Sequence, residues 1–309
     1  MNILVTGGLG FIGSYIIDVF RRKGHSVGII DRAVPVYFTA LIDEFDIYLA
    51  DITSPITHRL KRKYNLLVHL AAANDLDSRD ARKALEVTTL GTKNCLDFCI
   101  RNGINNFLYF STFQVYGRET GYIDESTPVA CKNDYALTHF FAEEYVRMYH
   151  RIYGLNYILV RPTNVFGAFK NKNINRWSLV PNCFIKEAFE TGKITLYTSG
   201  KQVRDFVSLE DVSNITNILC EHFEEHKNNI FNIASGKSIS IIKVAEMTRK
   251  IYKKLFDKEC LLDIKSAEPL TCENLIVDTR KIKTLSYSAS KEHTIEKDIV
   301  RIFEMLRGT

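Results

Sequence analysis

The 309-residue sequence lacks the features that mark several large protein classes. No apolar run approaches the roughly 20 residues of a membrane-spanning helix. The seven cysteines follow no disulfide-framework spacing. Cys95 and Cys99 lie one helical turn apart without a nearby histidine, so we expect them in the core rather than on a metal. These absences argue against a membrane protein, a disulfide-rich secreted protein and a metalloprotein.

The sequence also lacks a large excess of charge of one sign. The formal net charge is +5, and it is spread along the chain. The densest basic cluster, Arg59, Lys61, Arg62 and Lys63, falls in a segment with a helical pattern, 54–64. We interpret it as a solvated helix face rather than as a patch for nucleic acid or membrane. The first predicted strand begins at residue 2, which leaves no room for a signal peptide. We therefore expect a reduced, cytoplasmic protein without nucleic-acid or membrane partners.

The first half of the chain alternates short apolar strands with helical segments, which is typical of an α/β fold with a Rossmann-type doubly wound parallel sheet. Runs such as Leu66-Leu67-Val68-His69-Leu70 are almost wholly apolar, as expected where helices cover both faces of a sheet. The predicted strands are 2–6, 27–31, 46–50, 66–70, 107–111 and 156–161. The predicted helices are 11–23, 54–64, 79–102 and 134–153.

This alternation ends after Arg161-Pro162, where a segment rich in Asn, Lys and Gly predicts a long loop over 164–178. Short strands are predicted near 194–197, 204–208 and 230–233, and helices near 178–190, 210–225, 240–256 and 293–307. The pattern predicts a dinucleotide-binding domain at 1–163 and a smaller C-terminal α+β substrate lobe at 164–309, with the chain returning to the first domain near 204–233. We expect the lobe at the carboxyl ends of the strands, where α/β sheets bind ligands.

The most specific motif is Thr6-Gly7-Gly8-Leu9-Gly10-Phe11-Ile12-Gly13. It follows the apolar run Ile3-Leu4-Val5 and leads into a helical pattern, so it predicts a strand, a tight turn and a helix start. Glycine lets the backbone turn sharply and approach a pyrophosphate, and the N-terminus of the helix stabilises that negative charge. The motif therefore predicts a dinucleotide site.

The choice of cofactor rests on Asp31, which ends the second predicted strand roughly 20 residues beyond the glycines. A carboxylate at this point accepts the ribose hydroxyls of NAD and repels the 2′-phosphate of NADP. Arg32 can pair with such a phosphate, although a solvent-facing arginine is the simpler interpretation. The prediction is NAD, with NADP as the alternative.

Further motifs follow in order nearly to the end of the chain. They are Asp51-Ile52, His69-Leu70-Ala71-Ala72-Ala73, Ser111-Thr112-Phe113-Gln114-Val115-Tyr116-Gly117, Arg161-Pro162-Thr163-Asn164-Val165-Phe166-Gly167, Val203-Arg204-Asp205-Phe206-Val207-Ser208-Leu209-Glu210-Asp211-Val212 and Asn232-Ile233-Ala234-Ser235-Gly236. With these motifs the chain resembles the extended short-chain dehydrogenase/reductases, specifically the nucleotide-sugar epimerase/dehydratase group.

The resemblance implies two sets of binding residues. Those implied for the cofactor are Gly7, Gly10, Phe11, Ile12, Gly13, Asp31, Arg32, Asp51, Ile52, Leu70, Ala71, Ala72, Thr88, Tyr135, His139 and Pro162. Those implied for the sugar nucleotide are Gln114, Asn164, Tyr197 and Arg204. Arg204 and a buried Asn164 would contact phosphate, and Tyr197 would contact the base.

Two of these residues have simpler interpretations from the residues alone. Arg204 can form a surface ion pair with Asp205 or Glu210. Tyr197 lies on a predicted short strand, where an aromatic side chain more often belongs to the core.

Relatives in this group use a tyrosine to take the proton from a sugar hydroxyl, beside a serine or threonine. Tyr135 and Thr112 occupy these positions, but the lysine expected four residues after the tyrosine is His139. Residues four apart share a helix face, so His139 can lie beside the phenol. Ionising a phenol at neutral pH requires lowering its pKa by about 3 units, or roughly 4 kcal/mol. A neutral imidazole supplies no charge toward that shift.

Two further departures concern neighbouring positions. Thr88 stands where relatives usually place an asparagine that supports the active-site helix. Phe113-Gln114 stands where dehydratases of the group carry Asp-Glu to remove water. Because Phe and Gln cannot transfer those protons, this segment argues against 4,6-dehydration.

The predicted function is a nucleotide-sugar 4-epimerase, which oxidises C4 and returns hydride to the opposite face. The alternatives are a nucleotide-4-keto-sugar reductase or dehydrogenase, and a binding protein without turnover. We favour an active Tyr135–His139 pair over an inactive one or a catalytic site elsewhere. The resemblance also implies a role in carbohydrate biosynthesis and a homodimer formed through the helices at 79–102 and 134–153.

Overall fold

A computed structural model of the chain describes residues 1–170, 174, 176–266, 274–287 and 294–308. Part of the predicted loop 164–178 and the first residue of the predicted helix 293–307 lie outside these residues. Within the described ranges, no helix is long and apolar enough to cross a membrane. The same residues contain no group of His, Cys, Asp and Glu side chains placed to hold a metal ion.

The chain forms two compact units, each assembled from separate segments. The first consists of Met1–Gly117, Thr127–Pro162 and Ser213–Asn232. The second consists of Arg118–Ser126, Thr163–Val212 and Ile233–Thr309, within the described residues. The division into domains at residue 163 stays a prediction.

The strands are β1 Asn2–Thr6, β2 Ser26–Asp31, β3 Asp46–Leu49, β4 Leu66–His69, β5 Asn106–Phe110, β6 Gly121–Ile123, β7 Asn156–Pro162, β8 Asn164–Phe166, β9 Lys193–Leu196, β10 Val203–Ser208, β11 Asn229–Ile233, β12 Ser238–Ser240, β13 Leu261–Ile264 and β14 Leu275–Val277. The α-helices are α1 Phe11–Arg22, α2 Ala81–Ala84, α3 Gly91–Asn102, α4 Asp134–Tyr153, α5 Asn182–Thr191, α6 Leu209–Glu221, α7 Phe223–His226, α8 Ile241–Phe256, α9 Arg280–Lys283 and α10 Ile295–Arg307.

The first unit is built on a seven-stranded sheet in the order β11-β7-β5-β4-β1-β2-β3. Neighbouring strands from β3 to β7 pair in parallel. The predicted Rossmann-type α/β fold is therefore confirmed. The chain leaves β1 for β2 on one side and later returns to β4 on the other, so the strand order reverses between β1 and β4. Ligands of open α/β sheets bind at such a reversal.

The six strands predicted for the first half of the chain are present, each within one residue of its predicted ends. These predictions succeed because the strands are buried along nearly their whole length. Short, continuous apolar runs are typical of parallel strands that helices cover on both faces. The predicted helix 134–153 is also present as α4. The helix predicted at 79–102 is present from Ala81 to Asn102, but Leu85–Leu90 forms a π-helical turn within it.

The helix predicted at 54–64 is wrong, because this segment is an irregular loop. Its backbone polar groups find partners on other elements instead of along a helix. The carbonyl of Ile56 accepts from the Arg101 guanidinium at 3.0 Å, and the N–H of Lys61 donates to the Tyr48 hydroxyl at 2.9 Å. The basic cluster therefore lies on a loop, where Arg62 pairs with Asp46 at 2.6 Å.

Among its described residues, the second unit contains three small sheets, in the orders β12-β10-β8, β13-β9 and β14-β6. The strand β8 falls inside the segment that was predicted to be a loop. Buried side chains of α5, β9, α8 and α10, including Ile185, Ile194, Val244 and Ile302, form its core. Asp205 is fully buried and accepts hydrogen bonds from Thr163 and Ser235, so it anchors β10 to the segments that flank it.

A buried ion pair joins α4 to the sheet of the first unit. Glu143 of α4 is fully buried and accepts from Arg161 of β7 at 2.8 and 2.5 Å. It also accepts from the Ser111 hydroxyl after β5 at 2.6 Å and from Arg147 at 3.0 Å. Burial alone would raise the pKa of Glu143, but the hydrogen bonds and charge of Arg161 lower it overall. The carboxylate therefore stays ionised and fixes α4 against two strands.

Replacing this carboxylate should strongly destabilise the protein. Glu143→Gln keeps the shape of the side chain but leaves the Arg161 guanidinium buried without a counterion. We expect the free energy of unfolding to fall by about 3–5 kcal/mol, measured by urea unfolding. The matched control is Glu144→Gln on the same helix, because its carboxylate is exposed and its ion pair with Arg147 contributes about 1 kcal/mol or less. Equal losses in the two variants would contradict the assignment.

Candidate cofactor and catalytic site

The glycine turn lies where the strand order reverses, between the ends of β1 and β4. Gly7 has φ +67°, and a Cβ added there would lie 2.9 Å from the backbone nitrogen of Ala71. A Cβ on Gly13 would lie 2.2 Å from the carbonyl oxygen of Gly7. Only glycine fits these positions, so the turn passes closely against the start of the β4 loop. It ends at Gly10, the N-cap of α1, where no side chain makes a capping hydrogen bond. Such a terminus fits a pyrophosphate.

Asp31 is held against this turn at the end of β2. Its carboxylate accepts from the backbone N–H of Leu9 at 3.1 Å and of Arg32 at 2.8 Å. Burial raises the pKa of Asp31, and these two N–H groups partly oppose that rise. The Arg32 side chain is exposed, which agrees with the solvent-facing interpretation. The acid predicted to select NAD thus lies beside the predicted pyrophosphate site, and its role stays a prediction.

The other residues predicted to line the cofactor occupy the loops after β3 and β4. Asp51 accepts from the N–H of Thr53 at 2.9 Å, and that bond is the largest cause of its lowered pKa. Ile52 is buried and packs closely over Gly91. Leu70 donates its N–H to the Thr6 carbonyl at 3.1 Å.

Ala71 and Ala72 are partly buried within the loop after β4, and Pro162 is buried at the end of β7. Thr88 is fully buried in the π-helical turn. Its hydroxyl accepts from the N–H of Ala73 at 3.1 Å, so it supports the backbone of the β4 loop.

A chain of buried hydrogen bonds connects β1, β4 and the helix that begins at α2. Thr92 donates its hydroxyl hydrogen to the Thr88 carbonyl at 2.6 Å, so it accepts from His69 Nε2 at 3.0 Å. His69 Nδ1 then accepts from the Thr6 hydroxyl at 2.6 Å. Burial lowers the pKa of His69 to about 3. The imidazole is therefore neutral and fixes the loops at the strand reversal.

Thr112 and Gln114 lie directly after β5. The buried Thr112 hydroxyl accepts from the N–H of Gln114 at 3.2 Å and caps the short helical turn Phe113–Tyr116. Its oxygen is thus used as an acceptor, which leaves its hydrogen for a ligand. The Gln114 side chain accepts from Asn133 at 3.2 Å, and Asn133 is the N-cap of α4. This contact joins the β5 segment to the helix that carries Tyr135.

The structure brings Tyr135 and His139 together on α4. Their rings meet edge to face with centroids 4.8 Å apart, as their four-residue spacing predicts. His139 is only 3% exposed, and its Nδ1 lies 2.7 Å from the hydroxyl of Tyr109 in β5. Burial lowers the pKa of His139 to about 4, although the charge of Glu143 acts in the opposite direction. The position occupied by a charged lysine in relatives thus holds a neutral ring.

Of the predicted substrate residues, Gln114 belongs to the first unit and the other three to the second. Asn164 is exposed, so the prediction that it is buried is wrong; its amide donates to the Asp205 carbonyl at 2.9 Å. Arg204 forms an ion pair with Glu119 at 2.9 Å. Tyr197 is 80% exposed one residue beyond β9, so the core interpretation of this residue is wrong.

Sequence reasoning missed Tyr109 and Glu143 as parts of this arrangement. Glu143 follows His139 by four residues, so the spacing that linked Tyr135 to His139 also predicts Glu143 on the same helix face. Tyr109 gave no comparable signal, because an aromatic residue in a buried strand is ordinary. Only the tertiary structure places its hydroxyl beside His139.

Comparison with known proteins agrees with the motifs. A family model described as the NAD dependent epimerase/dehydratase family matches residues 3–234. The UDP-glucose 4-epimerase of Corynebacterium glutamicum is 28% identical over 317 residues, covering 97% of this chain and 94% of that protein.

Two solved structures share the fold over nearly the whole chain. The UDP-N-acetylglucosamine 4-epimerase of Methanobrevibacter ruminantium, in complex with UDP-N-acetylmuramic acid, has a TM-score of 0.84 and 22% identity, covering 99% of this chain and 98% of that one. The UDP-glucuronic acid 4-epimerase of Bacillus cereus, in complex with UDP-glucuronic acid and NAD, has a TM-score of 0.84 and 22% identity, covering 100% and 99%. At this identity the two structures establish the fold alone.

The neutral His139 predicts how stability depends on pH. Its pKa is about 4 in the folded protein against 6.5 in the unfolded chain, so below pH 6.5 the unfolded chain binds a proton that the folded protein does not. Stability should therefore fall as the pH drops from about 6.5 toward 4, and this residue should account for about 2 kcal/mol between pH 8 and pH 5.

His139→Gln should reduce the difference in unfolding free energy between pH 8 and pH 5 by this amount, measured by urea unfolding. Leu137→Gln introduces the same side chain on α4 without removing a titrating group and should leave the difference unchanged. If His139→Gln also leaves it unchanged, the imidazole is not buried in its neutral form.

Proposed function

Because this chain belongs to the NAD dependent epimerase/dehydratase family, we propose that it is a nucleotide-sugar 4-epimerase. The motif-based family resemblance is thereby confirmed, and the cofactor of the family is NAD. The observation that carries the proposal is the contact between the rings of Tyr135 and His139 on α4, whose centroids lie 4.8 Å apart. The Glu143–Arg161 ion pair joins α4 to the sheet that also contains β1, the strand before the glycine turn. Two relatives that cover 81% and 97% of this chain are UDP-glucose 4-epimerases, which favours a UDP sugar as substrate.

The residues of the first unit fit NAD. The glycine turn packs closely against the loop after β4 and leads to a helix N-terminus without a side-chain cap, and the Asp31 carboxylate lies beside it. When bound, NAD supplies a hydride acceptor for C4 of the sugar and the hydride that is later returned. The carboxylate of Asp31 disfavours the additional phosphate of NADP.

Tyr135 is the proposed base that takes the proton from the C4 hydroxyl and later returns it. Thr112 is proposed to donate its hydroxyl hydrogen to the same sugar oxygen, because its own oxygen already accepts from Gln114. His139 contributes no fixed positive charge to Tyr135, since its pKa is lowered to about 4. Neither Phe113 nor Gln114 can transfer the protons that dehydration requires.

The second unit is proposed to hold the nucleotide. Arg204 suits two phosphate oxygens through its planar guanidinium. Its present partner, Glu119, is 64% exposed, and such a surface pair contributes about 1 kcal/mol or less. A diphosphate can therefore displace it. Asn164 is proposed as a further phosphate contact and the exposed ring of Tyr197 as a contact to the base.

The base is tested by Tyr135→Phe, which removes the phenol hydroxyl and keeps the ring. We expect the rate of C4 epimerisation to fall at least about a hundredfold while NAD remains bound. The assay uses a panel of UDP, GDP, dTDP and CDP sugars and quantifies the C4 epimer. Tyr145→Phe on the same helix is the matched control and should keep the wild-type rate.

Three outcomes would overturn parts of this proposal. A wild-type rate in Tyr135→Phe excludes Tyr135 as the base. Stoichiometric consumption of NADH or NADPH by the wild-type protein would identify a reductase or dehydrogenase. Tight dinucleotide binding without turnover of any sugar in the panel would identify a binding protein.

We also propose that the protein is a cytoplasmic homodimer that acts in carbohydrate biosynthesis. The cysteines among the described residues are free, which fits a reducing compartment. Leu85 and Leu90 of the π-helical turn and Leu137 and Phe141 of α4 are exposed. The turn and α4 are joined by a hydrogen bond from Thr89 to the Thr138 carbonyl at 3.1 Å. A second copy of the chain can cover these apolar side chains.

The dimer is tested by Phe141→Glu, which places a charge within this exposed apolar surface. Sedimentation velocity should show a dimer for the wild type and a monomer for this variant, because an unpaired charge is costly in an apolar interface. Val36→Glu alters an apolar side chain that is 87% exposed elsewhere in the first unit and should remain dimeric. A monomeric wild-type protein would contradict the proposal.

A further inference from the structure

The Arg204 guanidinium, proposed above to bind phosphate, is held by two groups of the second unit. Its Nη1 donates to the carbonyl oxygen of Val203 at 2.9 Å, and its Nη2 forms an ion pair with Glu119 at 2.9 Å. The Arg204 side chain is 26% exposed, so a ligand can reach it from solvent. A guanidinium has five N–H donors, and these two contacts do not use them all. The proposed phosphate group is thus already paired with a carboxylate of the chain itself.

The acid that follows Arg204 in the sequence does not serve as this counterion. Asp205 is fully buried, and its carboxylate accepts from the Thr163 hydroxyl at 2.6 Å and from the N–H of Ser235 at 2.9 Å. These bonds fix the backbone of β10 and with it the base of the Arg204 side chain. The counterion comes from Glu119, in a segment that is distant in sequence.

Glu119 lies on a short link between Gly117, which ends the turn after β5, and strand β6. The link is fixed at both ends. Gly117 has φ +60°, and a Cβ added there would lie 1.7 Å from a backbone carbonyl oxygen. Gly121 of β6 donates its N–H to the Asn274 carbonyl at 2.7 Å. Because the Glu119 side chain is 64% exposed, it can leave Arg204 by rotating about its own bonds while the link stays in place.

A diphosphate binds a guanidinium more strongly than this carboxylate does. It offers several anionic oxygens, and the planar fork of an arginine binds two of them at once. The pair with Glu119 is exposed, so water and salt screen it. A ligand that needs Arg204 must nevertheless displace Glu119 first. Its apparent Kd therefore exceeds the intrinsic value in proportion to how often the pair is formed.

We propose that Glu119 is a displaceable counterion of Arg204, which the diphosphate of a sugar nucleotide replaces on binding. Glu119 thereby sets the affinity of this site below the value that Arg204 alone would give. This inference rests on the proposed function in taking Arg204 as a phosphate ligand. A carboxylate that instead orients Arg204 toward phosphate would strengthen binding, so the sign of the effect separates the two roles.

Glu119→Gln tests this sign, because it removes the charge and keeps the size of the side chain. The full chain is titrated with UDP, GDP, dTDP and CDP by isothermal titration calorimetry, and the tightest of the four is then used throughout. We expect Glu119→Gln to lower its Kd about fivefold. Glu125→Gln removes a charge of the same segment that acts on Lys281 and should leave the Kd unchanged. An unchanged or higher Kd in Glu119→Gln would overturn the inference.

A double-mutant cycle separates competition for the guanidinium from general repulsion between Glu119 and the ligand. Arg204→Gln alone should raise the Kd at least about tenfold, because a charged hydrogen-bond donor is lost. In that background Glu119→Gln should change the Kd by less than about twofold, since no guanidinium remains to be contested. Equal tightening in both backgrounds would identify general repulsion and overturn the inference.

The same titrations distinguish failure of this inference from failure of the proposed nucleotide site. If Arg204→Gln weakens binding and Glu119→Gln does not tighten it, the inference alone is wrong. If Arg204→Gln leaves the Kd unchanged, or none of the four diphosphates binds the wild-type protein, the proposed phosphate contact is wrong and the inference with it.

Discussion

The ion pair between Glu143 and Arg161 is the constraint on which the arrangement of Tyr135 and His139 depends. Both side chains are removed from water, and their desolvation is offset only if every charged atom finds a partner. Glu143 meets this condition with bonds from β7, from the segment after β5 and from its own helix. The rotation and height of α4 are thereby fixed. His139 lies one turn and Tyr135 about two turns toward the N-terminus on the same face.

A second consequence of burial is that three side chains near this ion pair, His69, Tyr109 and His139, are neutral. His69 and His139 both have lowered pKa values because water does not reach them, and the pKa of Tyr109 is raised for the same reason. The first unit therefore combines a glycine turn suited to negative charge with a neutral imidazole beside Tyr135. Tyr135 therefore obtains no electrostatic help from the residue four positions later.

The sequence predicted the parts of this structure that depend on local pattern. Buried strands, the glycine turn, α4 and the shared face of Tyr135 and His139 follow from periodicity and spacing. The helix expected at 54–64 failed because bonds to Tyr48 and Arg101 satisfy the backbone of that loop, and these partners are distant in sequence. Tyr109 was missed for a related reason. Its hydroxyl contacts His139 across 30 sequence positions, and no local pattern encodes such a contact.

The central claim, epimerisation at C4 with the hydride kept on the protein, is tested most directly with a nucleotide sugar deuterated at C4. The protein is loaded with NAD, unbound dinucleotide is removed, and products are analysed by mass spectrometry and proton NMR. The account predicts that the C4 epimer forms over many turnovers with the deuterium still on C4. Deuterium that appears in free dinucleotide, or a 4-keto sugar that accumulates in proportion to the NAD present, would contradict it.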